Sequence, residues 1–409
     1  MPGRQTLSTL RQTIRQQERV LAVSVSTMLV MMGAGILGPV LPLFAVELGF
    51  GAAAAGAAVG AFALARLLFN VPLGALSDTK GRRLLIVVGP AVVAVGMIGS
   101  GLASGLVALI VWRFVAGLGS SMYMTGSLAY VVDISTPANR TRLLAVNQAA
   151  LLIGVSIGPW LGGFVGARWG LRAPFFVVAG AALAAAVYAY LRMPETVPKN
   201  RPESGDQARA PKSERGMRTL ITAPFIAIAF VSFAQFLTRG TSPQALIPLA
   251  GAETFGLDVD TIGLLLGAMA LMSLVLLPAA SSAADRRGRA RVIIPSLWIT
   301  AVSLAVIGLA TGTAVFIVGS LLLGFGNAVG GPAPAAYAAE VSSAQARGMA
   351  MGAFRTAGDL GLLLGPPLLG AVADTNGYSW AFWANGVIVA LAAITLGVAA
   401  RQRATDPVA

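Results

Sequence analysis

Cysteine and histidine are both absent from this chain of 409 residues. The first absence excludes disulfides, thiolate metal sites and cysteine nucleophiles, and the second excludes imidazole chemistry. Charged residues make up only 11% of the chain, whereas soluble domains carry roughly 25%. The sequence also contains no nucleotide-binding loop of the Walker type. We therefore predict no enzyme active site, no metal, no cofactor and no direct use of ATP.

What the chain has in excess is apolar: 56% of its residues are hydrophobic, and 49 are glycine. Apolar segments of about 20 residues recur along it, and each can cross roughly 30 Å of hydrocarbon. The first of them follows a basic stretch and is too long for a signal-peptide core, so we expect it to be retained. The predicted spans are 20–46, 52–76, 84–103, 105–132, 143–165, 173–191, 220–241, 261–281, 292–310, 314–338, 349–373 and 379–400.

The net charge of +13 is explained by where the basic residues lie. With twelve spans, the connections that share a side with both termini carry 23 of the 29 Lys and Arg residues. The opposite connections carry only Arg168 and Arg172. Positive charge stays in the cytoplasm, so we predict a monomeric inner- or plasma-membrane protein with both termini cytoplasmic. Its partners are then the lipid bilayer and a small-molecule substrate, and not nucleic acid.

The chain reads as two copies of one unit. Residues 193–219 are polar and predict a cytoplasmic linker between six-helix bundles at 1–192 and 220–409. The two halves align with a constant offset of 207 residues. The aligned pairs include Asp78 with Asp285, Gly81 with Gly288, Arg82 with Arg289, Gly117 with Gly324, Asp133 with Glu340, Arg140 with Arg347 and Pro159 with Pro366. Parallel halves of this kind are a recurrent transporter plan, with the substrate site at the midplane between them.

A charged loop follows span 2 and is repeated after span 8. Its glycines permit a tight turn, and we expect Asp78 to accept from the first amides of span 3 or to pair with an arginine. A plain charged hairpin is the structural alternative. The loop residues are Gly74, Asp78, Gly81, Arg82 and Arg83, with Asp285, Gly288 and Arg289 in the repeat.

On this Asp-x-x-Gly-Arg-Arg loop the chain resembles the major facilitator superfamily. Three further motifs are similar to those of its 12-span drug:proton antiporter branch. They are Gly33 with Pro39-Val40-Leu41-Pro42 in span 1, Arg113-x-x-x-Gly117-x-Gly119 in span 4, and Gly154-x-x-x-Gly158-Pro159-x-x-Gly162-Gly163 in span 5. The resemblance implies two pseudo-symmetric six-helix bundles, alternating access and a proton gradient as energy source. It also implies a conformational-switch role for the loop and a proton-relay role for Arg113.

The span-5 motif has two physical interpretations. Pro159 removes a backbone hydrogen bond and kinks the helix, while Gly154, Gly158 and Gly162 clear one face for another backbone. That face could form a hinge or sliding interface between the halves, or it could serve close packing alone. Both interpretations stay open at this stage.

Ionisable groups inside a bilayer are costly and usually functional. Asp359 is the only acid near the middle of a predicted span, and Arg355 lies one helical turn before it. The two could form a structural ion pair, or Asp359 could bind and release the coupling proton with Arg355 beside it. Arg113 is the second proton-coupling candidate, with pairing to backbone carbonyls as its structural alternative. We expect Arg66 to reach the Asp78 turn and Arg239 to lie near the outer end of span 7 and snorkel.

Span 1 carries no acid between Val20 and Val46, whereas several exporters of the drug:proton antiporter branch carry one. The substrate could therefore be neutral or anionic. The predicted function is proton-driven export of a small amphipathic compound. A sugar or metabolite importer is the nearest alternative, and a membrane enzyme or sensor is disfavoured. The candidate cavity residues are Asn147, Gln148, Gln235, Asn327, Tyr123 and Phe233, together with Phe230 and Trp298.

Overall fold

Twelve helices long and apolar enough to cross a membrane confirm the predicted all-helical fold. The computed structural model describes residues 3–136, 139–196, 222–343 and 347–405, and no strand occurs within these ranges. The helices are α1 (Gly3–Glu47), α2 (Ala52–Lys80), α3 (Arg82–Gly101), α4 (Leu106–Asp133), α5 (Arg140–Trp169), α6 (Ala173–Arg192), α7 (Ala223–Glu253), α8 (Val259–Arg287), α9 (Arg289–Gly308), α10 (Thr313–Glu340), α11 (Arg347–Asn376) and α12 (Tyr378–Thr405).

Two helices contain an irregular turn that the predicted spans did not include. We expected span 7 to end at residue 241, but α7 continues through a π-helical turn, Ser242–Leu246, to Glu253. Pro243 and Pro248 lack backbone donors, and the wider turn lets the helix continue past them. α10 is interrupted at Gly331, whose φ of 38° only glycine adopts readily, and resumes at Ala333.

The helices form two bundles of six with matching internal contacts. Within the first half α1 packs on α5 and α6, α2 on α4, and α3 on α4 and α6, and each contact recurs six helices later in the second half. This duplication agrees with the 207-residue register. The predicted linker at 193–219 lies outside the described residues except for 193–196.

The halves meet at the end of the bundle opposite both termini, called here the closed end. α2 crosses α11 so tightly that a Cβ on Gly56 would overlap the Pro366 carbonyl. α5 crosses α8 where Gly163 faces Gly263, backbone against backbone. A carboxylate joins the halves beside the first crossing, because Asp374 accepts hydrogen bonds from the amides of Ala52 (2.7 Å) and Ala53 (2.9 Å) at the start of α2.

Candidate functional site: a cavity between the halves

A cavity of about 750 Å³ lies between the two halves, which is within the range typical of small-molecule sites. α1 and α5 line it from one side, and α7, α8 and α10 from the other. Along α8 the lining runs from Leu266 to Ser281, a rise of about 22 Å toward the end that carries the termini. The site is therefore continuous toward the terminal end, while the helix crossings shut the opposite end.

The cavity wall is mostly apolar with a few separated polar groups. Gln148, Gln244 and Asn327 supply amides, and Arg239 is the only charged residue in the lining that the structure describes. Because α7 extends to Glu253, Arg239 lies about 24 Å from the start of the helix and about 21 Å from its end. The prediction that Arg239 snorkels near an outer end was therefore wrong.

Two of the six cavity candidates, Gln148 and Asn327, line this cavity. Tyr123 and Asn147 do not, because both are buried between helices of the first half. Thr27 joins them, with its hydroxyl 2.9 Å from the Tyr123 hydroxyl and donating to Asn147 Oδ1 at 2.8 Å. These hydrogen bonds hold α1, α4 and α5 together within the first half, away from the cavity.

The remaining aromatic and amide candidates also lie outside the lining. Gln235 points its amide nitrogen at Gly330 of α10, and the Phe233 backbone carbonyl packs against Gly361 of α11. Phe230 stacks on Phe233 with ring centroids 6.3 Å apart. Trp298 is 43% exposed on α9, a helix that contributes nothing to the cavity.

Asp359 is 6% exposed and sits on the wall where the halves meet, outside the cavity lining. The positive charges that act on its carboxylate are those of Arg66 in α2 and of Arg355 in its own helix. Within the described chain, however, neither comes within the 4.0 Å of an ion pair. The structural ion pair with Arg355 is therefore not formed in this conformation, and Arg355 is exposed.

The position of Arg66 differs from the prediction. Asp78 lies twelve residues further along α2, about 18 Å away, and pairs with Arg82 instead. α2 meets α11 where Gly60 contacts Leu363. From that contact, Arg66 lies about 9 Å along α2 toward the terminal end, and Asp359 lies about 6 Å along α11 in the same direction. The two opposite charges consequently occupy similar heights on facing helices of different halves.

Arg113 is buried in α4 against α2. Its Nε donates to the Ala58 carbonyl at 3.5 Å, and its guanidinium lies 4.9 Å from the centroid of the Phe62 ring. Its Nη1 is buried without a hydrogen-bond partner among the described atoms. These contacts match the structural alternative for Arg113, and its proton-relay role stays a prediction.

The charged loop forms a network within the first half. Arg82 pairs with Asp78 (2.5 Å) and with Asp133 at the end of α4 (3.1 Å), while Gly81 makes the turn with φ of 99°. The first amides of α3 donate to Glu195 and not to Asp78. Glu195 follows α6, and no local signal in the sequence relates it to this loop. The expected switch role of the motif, including Gly74, Arg83, Asp285 and Gly288, stays a prediction.

The second half repeats one ion pair of this network, the pair between the loop arginine and the acid at the end of the fourth helix of the half. Arg289 pairs with Glu340 at 3.4 Å, as Arg82 does with Asp133, and it also donates to the Ala336 carbonyl. These are the residues that the 207-residue register aligned. Asp285 is exposed, and no cation of the described chain lies within 4.0 Å of it.

The glycines of the span-5 motif pack mainly inside the first half. Cβ atoms on Gly154, Gly158 and Gly162 would overlap backbone atoms of α1. Only Gly163 contacts the second half directly, and Pro159 lines the cavity while its carbonyl abuts Gly263. The stripe packs closely against α1 in this conformation, and the interface between the halves begins at its end near Gly163. A role as a hinge or sliding interface stays a prediction.

Comparison with known proteins agrees with this architecture. An uncharacterized MFS-type transporter of Methanocaldococcus jannaschii is 21% identical over 88% of this chain and 92% of its own length. Multidrug resistance protein 1 of Bacillus subtilis is 28% identical over 60% of this chain and 61% of its own length. A crystal structure of a point mutant of the nucleoside transporter NupG superposes with a TM-score of 0.78, at 13% identity, covering 93% of this chain and 99% of that one.

The sequence profile described as Major Facilitator Superfamily matches residues 23–248 and again 225–408. The first match covers the first half and continues into α7, and the second covers the second half. The family resemblance of the loop motif is thereby confirmed, as is the expectation of a transporter and not an enzyme. This multi-pass membrane chain belongs to the Major Facilitator Superfamily of transporters.

Proposed function

We propose that the protein exports a small amphipathic compound in exchange for protons. The observation that carries the proposal is the buried carboxylate of Asp359 on the wall between the halves, facing Arg66 without a closed ion pair. The name of the multidrug resistance relative supports export of foreign compounds. The largely apolar cavity suits an amphipathic substrate.

The position of Asp359 suggests how a proton could act on the gate. When ionised, the carboxylate attracts Arg66 across the α2–α11 interface, and protonation removes that attraction. Because the two residues belong to different halves, the protonation state changes the balance between conformations that hold α2 and α11 together and those that separate them. Exchange follows if proton and substrate stabilise different conformations.

We further propose that both termini are cytoplasmic, so that the cavity opens inward. The chain has no native cysteine, which makes any introduced thiol unique. Gly348→Cys, exposed at the terminal end, should react only with reagent on the cytoplasmic side. Thr311→Cys, exposed between α9 and α10 at the closed end, should react only from outside. The reverse pattern would overturn the orientation.

Reconstituted vesicles test the exchange directly. Each proton exchanged across a pH difference of one unit supplies about 1.4 kcal/mol, which supports about a tenfold accumulation. We expect an amphipathic dye to accumulate against its own gradient in acidic-lumen vesicles in which the terminal end faces outward. Collapse of the pH gradient should release it. Uptake that stops at equal concentrations would indicate a facilitative carrier, and a sugar or nucleoside as the only accepted cargo would support the metabolite alternative.

A further inference from the structure

We infer that the cavity selects organic anions, with Arg239 as the group that binds the negative charge of the substrate. The inference rests on the proposed function for its transport role and deepens it by assigning the substrate class. It follows from the contrast between Arg239 and the other arginines of the chain, and from the chemistry of the cavity wall.

Among the described residues, no carboxylate is placed to balance the charge of Arg239. In the described part of the chain, no carboxylate lies within 4.0 Å of it, and no protein hydrogen bond holds its guanidinium. The Cζ atom of Arg239 lies 5.6 Å from the centroid of the Phe236 ring. An arginine at mid-span without a partner is expensive in a bilayer, and such charges mark substrate or ion pathways.

Two other arginines within the spans lie against protein groups away from the cavity. Arg66 faces Asp359, and Arg113 lies against the Ala58 carbonyl and the Phe62 ring. Neither lines the cavity, whereas Arg239 does. Among these three arginines of the described chain, Arg239 is thus the one that a substrate in the cavity can reach, and no carboxylate pairs with it.

The rest of the wall fits a molecule with one charged end and an apolar body. Gln244 lies five residues after Arg239 on α7, and Gln148 of α5 and Asn327 of α10 add two more amides to the wall. Between them the wall is apolar, with Leu152 and Leu266 on opposing helices. A carboxylate or sulfonate can accept charge-assisted hydrogen bonds from the guanidinium. A cationic substrate would be repelled by Arg239, and the described lining contains no acidic residue to attract it.

Two dyes that differ by a single sulfonate test the inference. N-phenyl-1-naphthylamine is neutral, and 8-anilinonaphthalene-1-sulfonate is the same molecule with one negative charge. Binding is titrated by fluorescence on the purified full chain in lipid nanodiscs, with protein-free nanodiscs subtracted and no pH gradient. We expect the protein to bind the sulfonate at least about tenfold more tightly, since a hydrogen bond to a charged group contributes about that factor.

Substitutions at Arg239 separate charge from packing. Arg239→Gln should weaken sulfonate binding about tenfold to a hundredfold and leave the neutral dye within about twofold. Arg239→Lys should retain most of the sulfonate affinity and shows that the site still folds. Arg168→Gln removes the same charge at the closed end and should change neither dye.

The inference is overturned if Arg239→Gln leaves sulfonate binding intact, or if ethidium, a cation, binds the wild type more tightly than the sulfonate. Because the measurement involves no gradient, it is independent of proton exchange. If the sulfonate binds but does not accumulate in acidic vesicles, the proposed proton exchange is wrong and the anion selection still holds. Gradient-driven accumulation of ethidium, unaffected by Arg239→Gln, would sink anion selection alone.

Discussion

Asp359→Asn is expected to abolish proton-driven accumulation while leaving the protein folded. Asparagine keeps the size and hydrogen-bonding capacity of the side chain but cannot release a proton, and the attraction to Arg66 across the α2–α11 interface disappears permanently. In acidic vesicles dye accumulation should fall to the level of protein-free vesicles. Dye-for-dye exchange at equal pH on both sides should persist, because it requires the cavity and not the carboxylate.

Two companion variants make this result specific to Asp359. Glu47→Gln removes an exposed carboxylate at the closed end and should accumulate dye as the wild type does. Asp359→Glu keeps a titratable group and should retain coupled transport at a lower rate. Full-rate accumulation by Asp359→Asn, with an unchanged dependence on pH, would remove Asp359 from the coupling mechanism.

Gly56→Ala is expected to favour conformations in which α2 and α11 are separated at the closed end. The added methyl group overlaps the carbonyl of Pro366 and the nitrogen of Pro367, which are backbone atoms that no rotamer change can move. Overpacking of this kind costs about 1–3 kcal/mol, and each 1.4 kcal/mol shifts the balance of two conformations about tenfold. A thiol at Ser273→Cys in the cavity wall reports the shift. It should react at least about tenfold faster with impermeant reagent added outside.

Two further variants accompany Gly56→Ala, a matched control and a substitution with a smaller expected effect. Gly180→Ala adds the same methyl group to α6 in open space, so labelling and transport should not change. Asp374→Ala removes the carboxylate that caps α2, a contribution of about 0.5–2 kcal/mol, and should raise outside labelling less than Gly56→Ala does. If Gly56→Ala transports and labels like the wild type, the α2–α11 crossing is not a gate.

The twelve spans could be predicted because hydrocarbon thickness fixes the length of a crossing helix and lipid tolerates few charges within it. The internal register could also be read from the sequence: it aligned Arg82 with Arg289 and Asp133 with Glu340, and each half of the structure contains the corresponding ion pair. Both signals are carried by the chain itself. Neither depends on how a helix is rotated about its axis.

Helix rotation is what the sequence left undetermined. Tyr123 and Gln148 are both polar residues on apolar helices, yet one joins a buried cluster and the other lines the cavity. In a soluble helix the polar face marks solvent, but here lipid, neighbouring helices and the cavity wall are all largely apolar. Arg239 was misplaced for another reason, because the predicted span 7 ended at residue 241, whereas the π-helical turn carries the helix on to Glu253.

If Arg239, the one charged residue of the described lining, selects anions as proposed, the membrane potential also acts on the cycle. A monovalent cation leaving in exchange for one entering proton moves no net charge. A monovalent anion leaving in exchange for one proton moves two elementary charges in the same direction, which is worth about 4.6 kcal/mol per 100 mV. Arg239 would therefore make the cycle electrogenic, so that an inside-negative potential could drive export even after the pH difference has vanished.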